Sequence, residues 1–492
     1  MKNQFSVSRG ASQKQLPAYS ATNQASALAR PRPRLAALSL RPVAITLLIL
    51  SSLTRNAAGV IPLGGTVTTS GDQIYNEAVV LTSDTTLVST GGGNIVFNST
   101  VDGMQSLVVA TAGAIAFNGA VGGTAALMNL TTDAGSTLLN GGTVATLGSQ
   151  TYNRAVVLGG NLTMASSGAG TIVFNSTVDG MHSLVVATAG PALFNGAVGG
   201  ASALMSLTTD AGSTVLSGGG VTTISSQTYT RAVVLGGNLS LTTIGAGNII
   251  FNSTVDGMYS LVVATVGVAV FNGAVGGAAA LTSLATDTGG STVFNGGAVT
   301  TTGTQNYLDA VTLAGNNTLT ASQVNISASA TLSGAGTIAA ELSNSGRIVV
   351  DGGTLRFRRV LSNGGTIQAG SGGVLLFLGA VFNNGVIDAL AGRVTFSGAL
   401  LNQGTVVDAT SFRLTKILRV GNDVRLTWST MGGHRYALQT NAPSLGGGYT
   451  KNFSDLSPII SAPGNTQSTV NYLHVGGAAG GRSRFYRVRL VP

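Results

Sequence analysis

The residues able to do acid–base or charge chemistry are few, and they recur at a fixed step. Asp102, Asp179 and Asp256 stand 77 residues apart, as do Asp133, Asp210 and Asp287. Carboxylate pairs carry glycoside hydrolysis when they lie about 5–9.5 Å apart, and acidic turns also suit weak calcium binding. Most of these Asp precede Gly or Ala-Gly, which favours Asx-type turn chemistry, and the Gly-Gly-x-Gly-x-Asp calcium array is absent. Glu341, Arg347, Asp351, Arg356, Arg358 and Arg359, with Asp388 and Arg393 further on, form the densest charge cluster. A polysaccharide lyase would need such groups on adjacent turns, while charges that discourage strand pairing use the same residue types. Arg482, Arg484, Arg487 and Arg489 crowd the C-terminus, with Arg487 and Arg489 on one face of a strand. These four are the candidate contact for an anionic polymer such as surface polysaccharide.

Comparison between copies of the repeat removes other candidates. His182 is replaced by Gln105 and Tyr259 at equivalent points, the pattern of a variable outward position. Arg154 and Arg231 become Glu77 and Asp309, which argues against a required charge. The chain holds three His and no Cys, and no His/Asp cluster has metal-ligand spacing, so neither metal nor cofactor is expected. Gly91-Gly-Gly93 and Gly218-Gly-Gly220 lack the Lys-Ser/Thr of a phosphate-binding loop and read as turns. No catalytic residue is assigned, and the expectation is a protein that is not an enzyme.

The composition explains this scarcity. Gly contributes 71 of 492 residues, charged residues 8% and aromatic residues 5%. The net charge of +9 would suggest nucleic acid, but it is unevenly held. Residues 1–59 carry eight basic residues and no acid, residues 60–411 sum to −7, and residues 412–492 sum to +8. An acidic middle removes the support for a nucleic-acid partner.

The basic leader runs into an apolar stretch, Val43 to Leu53, and then Ala57-Ala58-Gly59. That is the order of a secretory signal peptide, and eleven residues are too few to span a bilayer, which takes about 20. Export to the cell surface or the medium is expected, with no membrane span in the mature chain.

Self-similarity dominates residues 60–411. Phe97-Asn-Ser-Thr-Val-Asp-Gly-Met104 recurs at 174–181 and 251–258, and Tyr75, Tyr152, Tyr229 and Tyr307 mark one point at steps of 77, 77 and 78. Within one copy a shorter phrase recurs at Phe97, Phe117, Leu139, Leu158 and Phe174, in steps of 20, 22, 19 and 16. Asn344, Asn363, Asn384 and Asn402 continue it at 19, 21 and 18. A unit of about 19 residues, four to each 77-residue copy, fits one coil of a β-solenoid whose apolar faces become a core only by stacking. The fold expected is all-β: an elongated parallel β-helix of about 18 coils, roughly 85 Å long at the strand spacing. Phe, Leu and Val should form ladders along its axis, and the Asn after each Phe should ladder its amides. Equivalent Asp would then lie four coils, about 19 Å, apart, too far for a carboxylate pair. Thr131-Thr132 and Thr208-Thr209 would recur every fourth coil, too sparsely for a flat ice- or mineral-binding array.

The Phe-Asn-Gly-Ala-Val-Gly-Gly, Thr-Thr-Asp-Ala-Gly-Ser-Thr and Asn-x-Gly-x-Ile phrases resemble bacterial β-solenoid exoproteins, the autotransporter-passenger and filamentous-haemagglutinin-like adhesins. The resemblance covers residues 64–411 and implies a secreted or surface-attached, often adhesive, right-handed β-helix. An autotransporter would end in a translocating β-barrel, and none follows here, so self-transport is not expected.

From Phe412 the composition shifts to alternating strands such as Val424-Arg-Leu-Thr-Trp428, expected to form a small β-sandwich. Its Trp-Ser-Thr, Tyr-x-Leu-Gln-Thr and Phe-Tyr-Arg-Val phrases resemble immunoglobulin- or fibronectin-like modules of secreted verrucomicrobial and planctomycete proteins. That likeness implies an accessory for surface or carbohydrate contact. The reading is an exported, adhesin-like or structural surface protein of three parts, 1–59, 60–411 and 412–492, the alternative being a carbohydrate-active β-helix enzyme.

Overall fold

A computed structural model describes residues 59–408, 413–431, 435–441, 453–462, 467–479 and 484–491. The leader, Ala57 and Ala58 of its cleavage motif, and Arg482 lie outside the described residues. Every described element is a β-strand. Short apolar strands alternate inward and outward residues, as in the buried-half-buried pattern of Leu107–Thr111, so each turn buries one side and leaves the other to solvent.

Residues 59–408 form a parallel β-solenoid of about 17 turns. Each turn has three faces, entered in chain order. In the first turn these hold Ile61, Val67 and Gln73–Tyr75, and each pairs in parallel with the same face of the next turn. On the third face the ladder runs from Gln73 through Ile95, Ile115, Thr137 and Val156 to Val178. It continues through Val198, Val221, Leu241 and Val263 to the strand holding Tyr307. From there it passes to Ile326, Asn344, Asn363, Asn383 and Asn402. Turns take 19–23 residues up to Tyr307 and 18–20 beyond it.

The 77-residue repeat is therefore not four coils. Eleven turns separate Gln73–Tyr75 from Thr304–Tyr307, and three repeats fill them, so each repeat spans eleven thirds of a turn. The steps Phe97, Phe117, Leu139 and Leu158 are true turns on one face. The fourth step, to Phe174, crosses to another face, because Phe174 stacks on Tyr152. Tyr75 thus lies on the third face, Tyr152 on the second, Tyr229 on the first and Tyr307 on the third again. Equivalent residues of successive copies are turned by a third of a circle.

The interior is built from ladders. Tyr75, Phe97 and Phe117 stack at 5.0 and 4.9 Å between ring centroids. Tyr152, Phe174 and Phe194 do so at 5.3 and 4.9 Å on the second face. Tyr229, Phe251, Phe271 and Phe294 continue the pattern on the first face at 5.1, 4.8 and 5.0 Å. These spacings match that of hydrogen-bonded strands, so one geometry satisfies backbone and ring stacking together. Beside each Tyr a buried Gln two residues earlier accepts from its hydroxyl, at 3.2 Å for Tyr152 and 3.0 Å for Tyr229. The Gln amide in turn donates to a carbonyl of the next turn.

The expected amide ladders are present in two settings. Asn76, Asn98, Asn118 and Asn140 link side chains at 2.8, 2.8 and 2.6 Å on an exposed corner. Asn344, Asn363, Asn383 and Asn402 form a ladder at 2.7, 2.7 and 2.6 Å whose first three members are buried. Each of those three also donates to a carbonyl a turn further on. The Oδ1 of Asn344 has no partner because its ladder begins there, above Ile326. The Asp-Gly phrase has a steric origin. Gly103, Gly180 and Gly257 sit at φ +127°, +125° and +131°, and a Cβ there would strike the carbonyl of Leu81, Leu158 or Leu235.

The C-terminal residues form antiparallel sheets. Leu414–Val420, Asp423–Met431 and Gln467–His474 make one. Arg435–Thr440 with Ser454–Asp455, Ile460–Ser461 and Tyr486–Val491 makes the other. Val424 and Leu426 from the first meet Leu438 from the second in a small core.

The two amide ladders predict different costs. Asn363→Ala leaves buried partners unsatisfied and should destabilise the solenoid by about 1–3 kcal/mol. Asn118→Ala on the wet corner should cost under about 0.5 kcal/mol. Urea denaturation of both variants tests this, and equal losses would contradict it.

Candidate functional site

The repeated acids are structural braces. The Asp102 carboxylate accepts from the backbone N–H groups of Thr124 and Ala125, at 2.8 and 3.0 Å. Asp179 and Asp256 do the same for Ala201 and Ser202 and for Ala278 and Ala279. These bonds reach 22–23 residues ahead, so each Asp holds the loop of the following turn rather than closing an Asx turn of its own. The three lie on three different faces, not four coils apart along one line as the spacing alone suggests.

Asp133 and Asp210 form ion pairs with Arg154 and Arg231, at 3.4 and 3.3 Å. All four side chains are more than half exposed, so each pair contributes under about 1 kcal/mol. Each pair rims an open cleft, of about 530 Å³ beside Asp133 and about 540 Å³ beside Asp210. The two clefts are built from equivalent residues, their floors made of small side chains such as Ala187, Ala189 and Gly212. The floor hydroxyls are already engaged: Ser166 donates to Gly148 and Thr188 to Gly170. No nucleophile faces a base in either cleft.

The third copy departs from this plan. Thr132 and Thr209 bond directly to Thr137 and Thr214, at 3.0 and 2.8 Å in the buried interior. Thr132 and Thr209 point inward while Thr131 and Thr208 are half-buried on the other side of their strands, so neither pair presents two outward hydroxyls. In copy three one extra residue separates Thr286 from Thr292, and the Asp309 carboxylate enters the gap and accepts from both hydroxyls, at 2.6 and 2.7 Å. Asp309 is 5% exposed. Burial raises its carboxyl above the usual carboxylate range against the pull of Thr286 and Thr292, and Asp287 adds to the rise.

The charges between residues 341 and 393 are dispersed. Arg347 lies in the first-face strand Arg347–Val350, with Gln368 and Asp388 in the same face on later turns. Arg356 and Arg393 belong to second-face strands, and Glu341 sits beside Gln323 at the entry to the third. Arg347 donates to Gln368 at 2.6 Å, and the Asp388 carboxylate accepts from the Leu390 N–H. Among the described residues no ion pair joins members of this set. Asp351 and Asp388 are not brought together with a base.

At the C-terminus, Arg487 and Arg489 share a face of the strand Tyr486–Val491, and both are engaged. Arg489 pairs with Asp455 at 2.6 Å. Arg487 donates to Gln439 at 2.7 Å and lies 4.2 Å from the centre of the Phe453 ring. Gln439 in turn donates to Asp455, so these groups form one polar network on an outer sheet surface. Arg484 stands apart, close enough to His474 to lower its pKa after burial has done so. Arg482 is outside the described residues.

Among the described residues no group of three or more His, Cys, Asp or Glu could hold a metal, and no helix is long and apolar enough to cross a membrane. No protein-family model, curated protein or solved structure matches the chain. Sequence reasoning missed the forward reach of Asp102 and its equivalents, for which two N–H acceptors one turn away left no local signal. It also missed the rotation of the repeats, for which a signal existed: 77 is not a multiple of any turn length between 20 and 23.

Asp309 gives a pH test. With its folded pKa above the unfolded one, its stabilising contribution is complete below the unfolded value and is lost as pH rises through the folded value. Asp309→Asn should therefore raise stability near neutral pH and flatten the decline that sets in above about pH 4, the ordinary carboxylate value. Urea denaturation at several pH values reads this, and a variant less stable at neutral pH would contradict it.

Proposed function

We propose that the chain is an exported, non-enzymatic protein of the cell surface or extracellular space, an adhesin-like or structural β-solenoid. The observation that carries this reading is the placement of the Asp-Gly-Met loop. Met104, Met181 and Met258 are 60%, 65% and 77% exposed, and each follows a strand on a different face. The repeat thus presents one loop at all three corners of the solenoid, a geometry for many weak contacts gathered from any side. The dispersal of charges over three faces near residues 341–393 supports the non-enzymatic side of the reading.

Two finer points rest on the sequence. Kinship with autotransporter-passenger and filamentous-haemagglutinin-like adhesins rests on the repeat phrases, and export rests on the leader up to Gly59. A surface polysaccharide is the proposed partner of the C-terminal arginines. Arg484 and Arg482 would provide the contact, because Arg487 and Arg489 already serve Gln439 and Asp455. Brief protease treatment of intact cells expressing the full chain should release peptides from residues 59–408. Complete protection in intact cells, with cleavage after lysis, would sink the surface assignment.

A further inference from the structure

The two ends of the described chain differ in charge, and among the described residues each leaves strand backbone unpaired. Residues 60–153 contain five acids and no Lys or Arg. Three of those acids, Asp72, Glu77 and Asp84, are exposed and stand one at each corner of the first turns. The rim there has unpaired backbone on one side, because among the described residues Val60–Thr69 pairs only with Ala78–Ser89, and Gln73–Tyr75 only with Ile95–Phe97. Val60 and Ile74 add exposed apolar surface to it, at 37% and 58%.

At the other end, among the described residues Leu414–Val420 is the outer strand of its sheet and is bonded on one side only, to Asp423–Met431. Leu418 faces Arg425 across that pair, and Arg425 faces Leu473, so the three share the side away from the Val424–Leu426 core. Lys416 lies on the same side, opposite Thr427. Leu418 and Leu473 are each 42% exposed, giving an apolar strip edged by cations. Its composition mirrors the N-terminal rim, which has apolar residues edged by carboxylates.

We propose that this basic sheet face docks on the acidic first turns of a second copy of the chain. The partner is chosen by charge: the first turns carry Asp72, Glu77 and Asp84 exposed around the rim with no Lys or Arg from residue 60 to 153, and Lys416 and Arg425 have no ion-pair partner among the described residues. Because the two surfaces differ, the contact is heterologous and leaves a free end of each kind, so copies add in series. Opposed surface charges of this sort are screened by salt, and the apolar strip supplies the burial that charges alone would not.

Light scattering of the full chain at rising concentration tests this. At low ionic strength the mass should grow with concentration, and at high ionic strength it should fall back to the monomer. Lys416→Glu with Arg425→Glu should abolish the growth. So should Glu77→Lys with Asp72→Asn and Asp84→Asn, where Asn preserves the acceptors that hold Asn94 and Ser106. Mixing the two variants should restore association, because each then carries the end that the other needs, a recovery that misfolding would not give. A wild-type chain that stays monomeric at low ionic strength would overturn the proposal. So would association indifferent to both sets of substitutions, or the absence of recovery on mixing.

Discussion

In-register parallel stacking is the constraint from which the rest of the solenoid follows. Each inward side chain has its counterpart directly above and below at the strand spacing, ~4.8 Å, so a position accepts only a residue that tolerates its own kind as neighbour. Flat rings meet this condition, as Phe97 over Phe117 shows at 4.9 Å with planes 1° apart. Amides meet it by donating one way and accepting the other, as from Asn363 to Asn383. Charged side chains fail it, since a carboxylate stacked on a carboxylate repels. The low charge content of the chain is a consequence of this condition.

Asp102, Asp179 and Asp256 are placed so that none stands above another. Asp102 caps the backbone of the following turn, and the rotation of the repeat carries the next equivalent acid, Asp179, to another face. Asp309 enters the interior as a buried acid, and it does so where an extra residue has parted two threonines. Charged groups outside Asp309 are thereby left to corners, rims, outward strand positions and the C-terminal sheets.

The fold was legible because stacking writes its period into the sequence. Phe-Asn phrases 20–22 residues apart imply coils, ring ladders and amide ladders, and all three are present. The relation between the long and short periods was misjudged because a change of face leaves the local sequence unaltered. Phe174 follows Thr171-Ile-Val much as Phe97 follows Asn94-Ile-Val, whichever face lies beneath. The partners of the C-terminal arginines were invisible for a different reason. Asp455 and Gln439 lie 34 and 48 residues from Arg489 and Arg487, and only antiparallel pairing brings them together.

The solenoid then falls into two regimes with different consequences for display. Up to Tyr307 each repeat falls one face short of four turns, so a loop copied by duplication appears on a new side, and three copies restore the original direction. Loss or gain of one repeat would leave the stacking chemistry intact while turning everything downstream by a third of a circle. Beyond Tyr307 the turns shorten, and the ladders stay where they start. Asn344 to Asn402 remain on the third face, and Phe357, Phe377 and Phe396 on the second. The first regime distributes identical loops around the axis, and the second holds each face constant over its last turns. Duplication in units that do not match the turn is thus enough to convert a linear repeat into one that addresses every side.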